Sequence, residues 1–308
     1  MVHYQDGGVP GRRRVLTGAA AETTFNDLPK IDFRRLYSNN LSDRQSLAYE
    51  MGVACRDGGF FYAADHGVDE SLLDDTFDAL KRFFNLPKEV KIEVRNQKSP
   101  KIRGYKGFLE GKLDPSTRGD LKEGFPMGED ATHTEQNIAI TPSTSEPRIF
   151  ALALNLPETA FDAITTHPMT NVRAVHYPPQ ESESDVSIGA HTNFCWFTLV
   201  CQSHTAQPAL EVLNAKGIWV LVHHEQHTFV VNIADFFKLV TERYSTLFSF
   251  SPDEDAKVSV LEQFRKKGEV YGELGVGEYF QKRLEIDRMT HLDGEECEKK
   301  GALRVGGR

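Results

Sequence analysis

The sequence has few cysteines and no long apolar run, and both absences restrict its class. Its 308 residues include four cysteines, which lack the spacing of a metal finger or a disulfide framework: Cys55, Cys195, Cys201 and Cys297. Thiols used this sparingly favour a cytoplasmic protein. No apolar stretch approaches the roughly 20 residues that a membrane-spanning helix needs. The N-terminal residues, which include Arg12-Arg13-Arg14, lack the apolar segment of a secretory signal. We therefore expect no membrane partner.

Positively charged residues are outnumbered by negatively charged ones. Lys and Arg number 36 against 45 Asp and Glu, which gives a formal net charge of −9 and a pI of about 5.7. An acidic chain has no general attraction for nucleic acid, so we expect none as a partner. The composition is otherwise that of a globular protein, with 39% hydrophobic and 26% charged residues in a length that allows a sizeable core.

The first half of the chain mixes extended segments with amphipathic helices. Residues 1–24, rich in Gly and Arg, are predicted to form a flexible arm. Ser42 is expected to cap a helix through about Arg56, and a second helix is expected over Glu70–Phe84. Between the two, Phe60–Ala63 has the unbroken apolar character of a buried strand. The pattern predicts helices packed beside a sheet.

The second half is rich in β-branched and aromatic residues, which favour strands. A buried strand is predicted at 194–201.

Five short motifs occur in an order that is typical of one family: Leu28-Pro29-x-Ile31-Asp32, Gly58-Gly59-Phe60-Phe61-Tyr62, His66-Gly67-Val68, Arg103-Gly104-Tyr105 and Asp120-Leu121-Lys122-Glu123-Gly124-Phe125. Together they resemble the N-terminal region of the isopenicillin N synthase-like 2-oxoglutarate and iron(II)-dependent dioxygenases. The likeness continues through the second half to about residue 290: the segments 172–179, 210–214, 217–222 and 228–235 resemble core strands of the family, and 277–284 resembles its C-terminal helix. The segments 210–214 and 217–222 are expected to form a hairpin. The chain also resembles the secondary-metabolite oxygenases of fungi.

The resemblance implies a fold of the α+β, mainly β class, with a double-stranded β-helix (jelly-roll) core, an N-terminal helical region and a C-terminal helix. It divides the chain into the arm at 1–24, an N-terminal α/β region at 25–160, and the jelly-roll core with its C-terminal helix at 161–308. These parts are expected to form one compact unit. Much of the family's long helix is missing, because residues 128–147 are predominantly polar.

The family resemblance also implies a metal site, and this chain departs from it. The family holds iron(II) with two His and one carboxylate, which leave positions open for 2-oxoglutarate and oxygen. The first His corresponds to His191, two residues before the carboxylate position, and that position is Asn193 here. The second His is expected between 236 and 242, and no His occurs there. His191 and Asn193 therefore represent a vestigial metal site.

The resemblance similarly implies a 2-oxoglutarate site. Arg243 and Ser245 match the Arg-x-Ser motif, which grips the far carboxylate of 2-oxoglutarate with a charged fork and a hydroxyl. Tyr177, ahead of Pro178-Pro179, corresponds to a Tyr that adds a hydrogen bond. Iron(II) and 2-oxoglutarate are thus cofactors that the family resemblance alone implies, with Arg243, Ser245 and Tyr177 as a vestigial cofactor site.

Another group of histidines offers a different metal site. His223, Glu225 and His227 lie close together in the sequence and could bind a divalent ion. The simpler interpretation is a polar turn at the surface, since such turns commonly collect charged and imidazole side chains.

Four hypotheses about function follow. The first, which we favour, is a non-catalytic dioxygenase-like subunit that supports an active non-haem iron oxygenase, as a heterodimer with a homologous catalytic subunit in natural-product biosynthesis. The alternative is an active iron(II)/2-oxoglutarate oxygenase with a rebuilt metal site. A third is a binding protein that keeps the cavity for a small molecule without iron. A fourth is that misassigned exons produced both missing segments.

Overall fold

The computed structural model describes residues 2–6, 9–13, 28–99, 103–111, 119–128, 145–178, 187–188, 195–204, 210–213, 218–233, 239–240, 244–259, 261–262, 265 and 272–289. Within these ranges, helices cover one face of a large sheet and a small sheet covers the other.

The predicted flexible arm begins with regular structure. Strands β1 (Val2–Asp6) and β2 (Val9–Arg13) pair in an antiparallel hairpin, with Asp6 opposite Val9. The predicted flexible arm at 1–24 did not include this hairpin. In the sequence, Gly7-Gly8 stands between the two strands, and two-residue hairpin loops strongly favour glycine. That dipeptide was a signal for the hairpin.

Helix α1 (Leu41–Asp57) starts slightly earlier than predicted. Its cap is Asn40, whose side-chain oxygen accepts a hydrogen bond from the Ser42 backbone at 3.2 Å, so the prediction of a Ser42 cap is corrected. Leu47 and Met51 are buried on one side of the helix, which confirms the predicted apolar face. The helix ends at Gly58, which forms the C-cap.

The next helices follow the sequence prediction closely. Helix α2 runs over Glu70–Phe84 as predicted, with Asp69 accepting the capping hydrogen bond from Ser71 at 2.8 Å. Helix α3 (Lys88–Glu93) follows Pro87 directly. Helix α4 (Ser145–Ala153) packs against α1. The predicted loss of much of the family's long helix falls mostly on residues 129–144, which lie outside the described residues.

The large sheet has seven strands in the order β3-β4-β10-β7-β12-β6-β5. Their bounds are β3 (Lys30–Asp32), β4 (Phe60–Ala64), β5 (Glu123–Gly128), β6 (Pro168–His176), β7 (Phe197–Gln202), β10 (Thr228–Ile233) and β12 (Tyr244–Asp253). All neighbours are antiparallel except β3 and β4. Three of the seven strands come from the N-terminal region, so both regions build this sheet.

The small sheet has three strands in the order β11-β8-β9. The predicted hairpin is formed by β8 (Leu210–Leu213) and β9 (Trp219–Val222), while β11 (Leu239–Val240) pairs with β8. Strands β13 (Lys257–Val258) and β14 (Leu274–Gly275) pair separately, and helix α5 (Val276–Met289) confirms the predicted C-terminal helix.

Successive residues of β7 show what lies on each side of the large sheet. Leu199 packs with α1 and the 3₁₀-helix Phe33–Tyr37, and Val200 packs with Val212 and Val220 of the small sheet. Strand residues alternate between faces, so each strand of the large sheet presents one side chain to the helices and the next to the space between the sheets. We call these the helix face and the inter-sheet face.

The described residues include no helix that is both long and apolar enough to cross a membrane.

Candidate functional site

Only part of the predicted cofactor site falls on described residues. His191, Asn193 and Arg243 lie outside them. Ser245 belongs to β12, where it pairs with Val175 and with Gln202. Tyr177 directly follows β6 and is buried. The register therefore places Ser245 two residues from Tyr177 along β6, and these two members of the predicted cofactor site lie at the same end of the sheet.

A buried amide on the inter-sheet face was missed by the sequence prediction. Asn232 lies two residues beyond Val230, which packs in the inter-sheet core, and pairs with Thr198 of β7. It is 1% exposed, and neither amide atom has a hydrogen-bond partner among the residues that the structure describes. Leaving such a group unpaired costs about 1–3 kcal/mol. Asn232 can thus give a donor and an acceptor to a molecule between the sheets, and its signal was a polar residue inside an apolar strand.

The residues that correspond to the family's iron ligands do not fit the iron site. Among the residues that the structure describes, no three His, Cys, Asp or Glu side chains come together as a metal site. At the positions that the sequence comparison predicts for the family's ligands, the chain has the imidazole of His191, the neutral amide of Asn193 and no His within 236–242. One imidazole and one amide lack both the second nitrogen ligand and the negative charge of a two-His, one-carboxylate site.

The histidine-rich turn does not form the alternative metal site. His227 Nδ1 lies 2.7 Å from Glu70 Oε1, and Glu225 pairs with Lys30 at 3.3 Å. His227 and Glu225 therefore have different partners at the surface, which agrees with the interpretation of this segment as a polar surface turn. The hypothesis of a divalent ion bound by His223, Glu225 and His227 is wrong for this structure.

A charged network anchors the end of β6 on the helix face, next to Tyr177. The Glu123 carboxylate is 1% exposed and meets Lys91 Nζ and the Tyr105 hydroxyl, each at 2.7 Å, and His176 Nδ1 at 2.8 Å. Burial alone would raise the pKa of Glu123, but hydrogen bonds from these three groups outweigh it and lower the pKa. Burial, and next the hydrogen bond to Glu123, raises the pKa of Tyr105. The network therefore keeps a carboxylate charged in the core and fixes the residue that precedes Tyr177.

Two family models match consecutive parts of the chain. Residues 28–146 match the N-terminal model described as non-haem dioxygenase in morphine synthesis. Residues 168–249 match the model of the 2OG-Fe(II) oxygenase superfamily. The two matches together span most of the described sheet, from β3 to the greater part of β12.

Curated relatives and solved structures point the same way. The chain is 28% identical over 284 residues to the 2-oxoglutarate-Fe(II) type oxidoreductase ppzC of Metarhizium rileyi, covering 76% of this chain and 75% of that one. It is 29% identical over 295 residues to hxnY of Emericella nidulans, with coverage of 78% and 84%. A full-length Neurospora crassa protein, solved in complex with alpha-KG and thymine, superposes with a TM-score of 0.70 at 19% identity over 86% of this chain and 99% of that one. This likeness confirms the jelly-roll fold.

Proposed function

Because the chain belongs to the 2-oxoglutarate/iron(II)-dependent oxygenase family, we propose that it is a non-catalytic subunit that supports an active homologous oxygenase in natural-product biosynthesis. The observation that carries this proposal is the ligand set: Asn193 stands where the family has its carboxylate, and no His stands within 236–242.

The chemistry of the ligands explains why the substitution matters. A carboxylate offsets part of the charge of iron(II) and binds it as a hard anionic oxygen, whereas an amide oxygen is neutral. A single imidazole cannot compensate for a missing carboxylate and a missing second imidazole. The core around the site is retained nevertheless, since β7, β10 and β12 keep continuous antiparallel pairing. A retained scaffold with an incomplete metal site is the pattern expected of a supporting subunit.

The first test is an anaerobic titration of the purified full-length chain with iron(II), with and without 2-oxoglutarate. We expect no saturable binding at micromolar iron. The Asn193→Asp variant restores the carboxylate and should bind iron more tightly than the wild-type chain. Asn39→Asp is the matched control, because Asn39 is exposed near the start of α1 and its replacement adds the same charge elsewhere. Stoichiometric iron binding by the wild-type chain, enhanced by 2-oxoglutarate, would instead favour the active enzyme with a rebuilt site.

The second test addresses the partner. The chain would be co-expressed with homologous oxygenases from the same genome that retain two His and one carboxylate, and each pair examined by sedimentation. We expect one catalytic homologue to form a 1:1 heterodimer with this chain and to turn over faster in the pair than alone. A chain that stays monomeric with every such homologue would contradict the supporting role.

A further inference from the structure

A surface cleft lies between α1 and the turn that follows α4. Its volume is about 500 Å³, within the roughly 300–1,000 Å³ of pockets that bind small molecules. The lining comes from these two elements and includes Gln45, Tyr49, Arg56, Leu152, Asn155 and Leu156. No residue of the large sheet lines the cleft, so it is separate from Tyr177 and Ser245, the described members of the predicted cofactor site.

The spacing of residues along α1 shapes this cleft. Tyr49, Gly52 and Arg56 follow one another at intervals of three and four residues, so they lie on one side of the helix. A Cβ atom on Gly52 would lie 3.4 Å from the Ala153 carbonyl oxygen and 3.2 Å from Arg56 Nη1. The guanidinium group of Arg56 therefore turns back over Gly52, which lies about 4.5 Å from Tyr49 along the helix axis. The glycine thus leaves a gap with an aromatic ring on one side and a cation on the other.

The opposite wall is a well-defined turn with apolar side chains. The Leu156 N–H donates to the Ala151 carbonyl oxygen, and the Asn155 N–H donates to the Leu152 carbonyl oxygen, both at 2.9 Å. Asn155 has a φ of 56°, in the left-handed region, so the turn is the Schellman motif that ends many helices. These backbone N–H groups are already used, and Leu152 and Leu156 are only half-buried. The wall therefore offers a ligand apolar contact and no backbone donor from these two residues.

Arg56 is exposed and makes no hydrogen bond or ion pair with another described residue. The acidic side chains closest in sequence to the other lining residues already have partners. Glu50 pairs with Arg35 at 2.6 Å, and both of its oxygens are used. Glu158 pairs with Arg44 at the same distance, again through both oxygens. The planar fork of a guanidinium group matches a carboxylate through two parallel hydrogen bonds, so Arg56 gives the cleft a preference for that group.

We propose that the cleft binds a small aromatic carboxylate, whose carboxylate pairs with Arg56 and whose ring lies between Tyr49 and the apolar wall. A neutral apolar molecule would leave the guanidinium group without a partner, and a small inorganic anion would leave the apolar wall uncovered. The thiol of Cys55, next to Arg56, adds no covalent chemistry, because burial raises its pKa to about 12. Binding in the cleft uses no predicted iron ligand, so either outcome leaves the iron titration unchanged.

The test compares three probes that separate charge from ring. 2-Naphthoate has both, 2-naphthamide has the same ring without the charge, and acetate has the charge without the ring. Each would be titrated with the full-length chain, and binding followed by the broadening of the probe's proton NMR signals. We expect 2-naphthoate to bind about tenfold more tightly than 2-naphthamide, the difference that a charged hydrogen-bonded pair gives. Acetate should bind at least about tenfold more weakly than 2-naphthoate, because it buries little apolar surface.

Three variants locate the binding. Arg56→Gln removes the cation and should make the affinities for 2-naphthoate and 2-naphthamide equal. Arg82→Gln is the matched control, because Arg82 is exposed on α2 and makes no ion pair with another described residue; it should leave the tenfold difference unchanged. Tyr49→Ala should weaken both naphthyl probes by about fivefold through loss of the ring contact. Tyr49 is 71% exposed, so its replacement leaves the core intact.

Several results would overturn the proposal. Equal affinities of 2-naphthoate and 2-naphthamide for the wild-type chain would remove the role of the charge. An affinity for 2-naphthoate that Arg56→Gln leaves unchanged would place the probe elsewhere, and its displacement by 2-oxoglutarate in that variant would identify the predicted cofactor site instead. An equal loss in Arg82→Gln would show that only the net charge matters. Absence of 2-naphthoate binding at millimolar concentration would also refute the proposal.

Discussion

The buried carboxylate of Glu123 allows a prediction with a calculable size. Its partners include Lys91, whose side chain is 7% exposed and whose Nζ also donates to the Phe84 carbonyl oxygen at 2.8 Å. Replacing Lys91 with Met keeps most of the apolar stem but leaves the carboxylate without its cationic partner. Removing one member of a buried ion pair costs about 3–5 kcal/mol. The Lys91→Met variant should therefore lose about 3–5 kcal/mol of unfolding free energy.

A second substitution separates the charge effect from packing. In Lys91→Met/Glu123→Gln the buried charge is gone, so the double variant should be more stable than the sum of the two single losses predicts. Lys81→Met is the control, because Lys81 and Asp78 form an exposed pair at 3.0 Å on α2, and such pairs contribute about 0–1 kcal/mol.

Urea denaturation, monitored by circular dichroism, measures these differences in unfolding free energy. The midpoint should fall strongly for Lys91→Met at an unchanged slope, and the melting temperature should fall by about 5–8 °C for a protein of this size. A loss below about 1 kcal/mol, or one equal to that of Lys81→Met, would refute the claim that Lys91 compensates a buried charge. Strict additivity in the double variant would refute the coupling between the two residues.

Further predictions concern the helix cap, the core and pH. Asn40→Ala should cost about 1 kcal/mol while Ser42→Ala costs clearly less, because the Asn40 side chain makes the capping hydrogen bond; urea midpoints decide between them. Phe61→Ala should cost about 3–5 kcal/mol in the same assay, since Phe61 is fully buried. Burial lowers the pKa of His66 below 6.5, so the unfolded chain binds more protons and the free energy of unfolding should fall as pH drops below about 6.5. His66→Phe should weaken this fall, and His224, whose pKa burial also lowers, should account for part of what remains; an unchanged pH profile in His66→Phe would contradict the burial of a neutral imidazole.

Much of the fold could be predicted because the relevant signals are local. Helix α2 matched its prediction to the residue, since Asp69 precedes an amphipathic run that ends ahead of Pro87. Strands β4, β6, β7, β8, β9 and β10 overlap predicted segments, whereas β5 and β11 had no predicted counterpart. The hairpin formed by β1 and β2 was missed because residues 1–24 were interpreted from their overall Gly and Arg content. Overall content does not show where a turn lies, whereas the position of Gly7-Gly8 does. The cap of α1 was misplaced by two residues for a similar reason, since Asn40 and Ser42 are both good caps.

The candidate sites were less predictable because they depend on contacts between distant residues. Motif order identified the family and the positions of His191 and Asn193, but their geometry is not described. The Glu123 network joins residues 32 and 53 positions apart, and no pattern in the sequence pairs them.

The source of the barrel's stability determines how the iron experiments can be interpreted. Strand β12 pairs with β7 from Ser245 to Phe250 and with β6 along almost its whole length, and apolar side chains fill both faces of the large sheet. None of these contacts uses a metal ligand, so we expect burial and strand pairing to hold this part of the sheet together without iron. Asn193→Asp should therefore change metal affinity while leaving the urea midpoint without iron nearly unchanged. If that variant unfolded, position 193 would be part of the scaffold, and its identity would say nothing about catalysis.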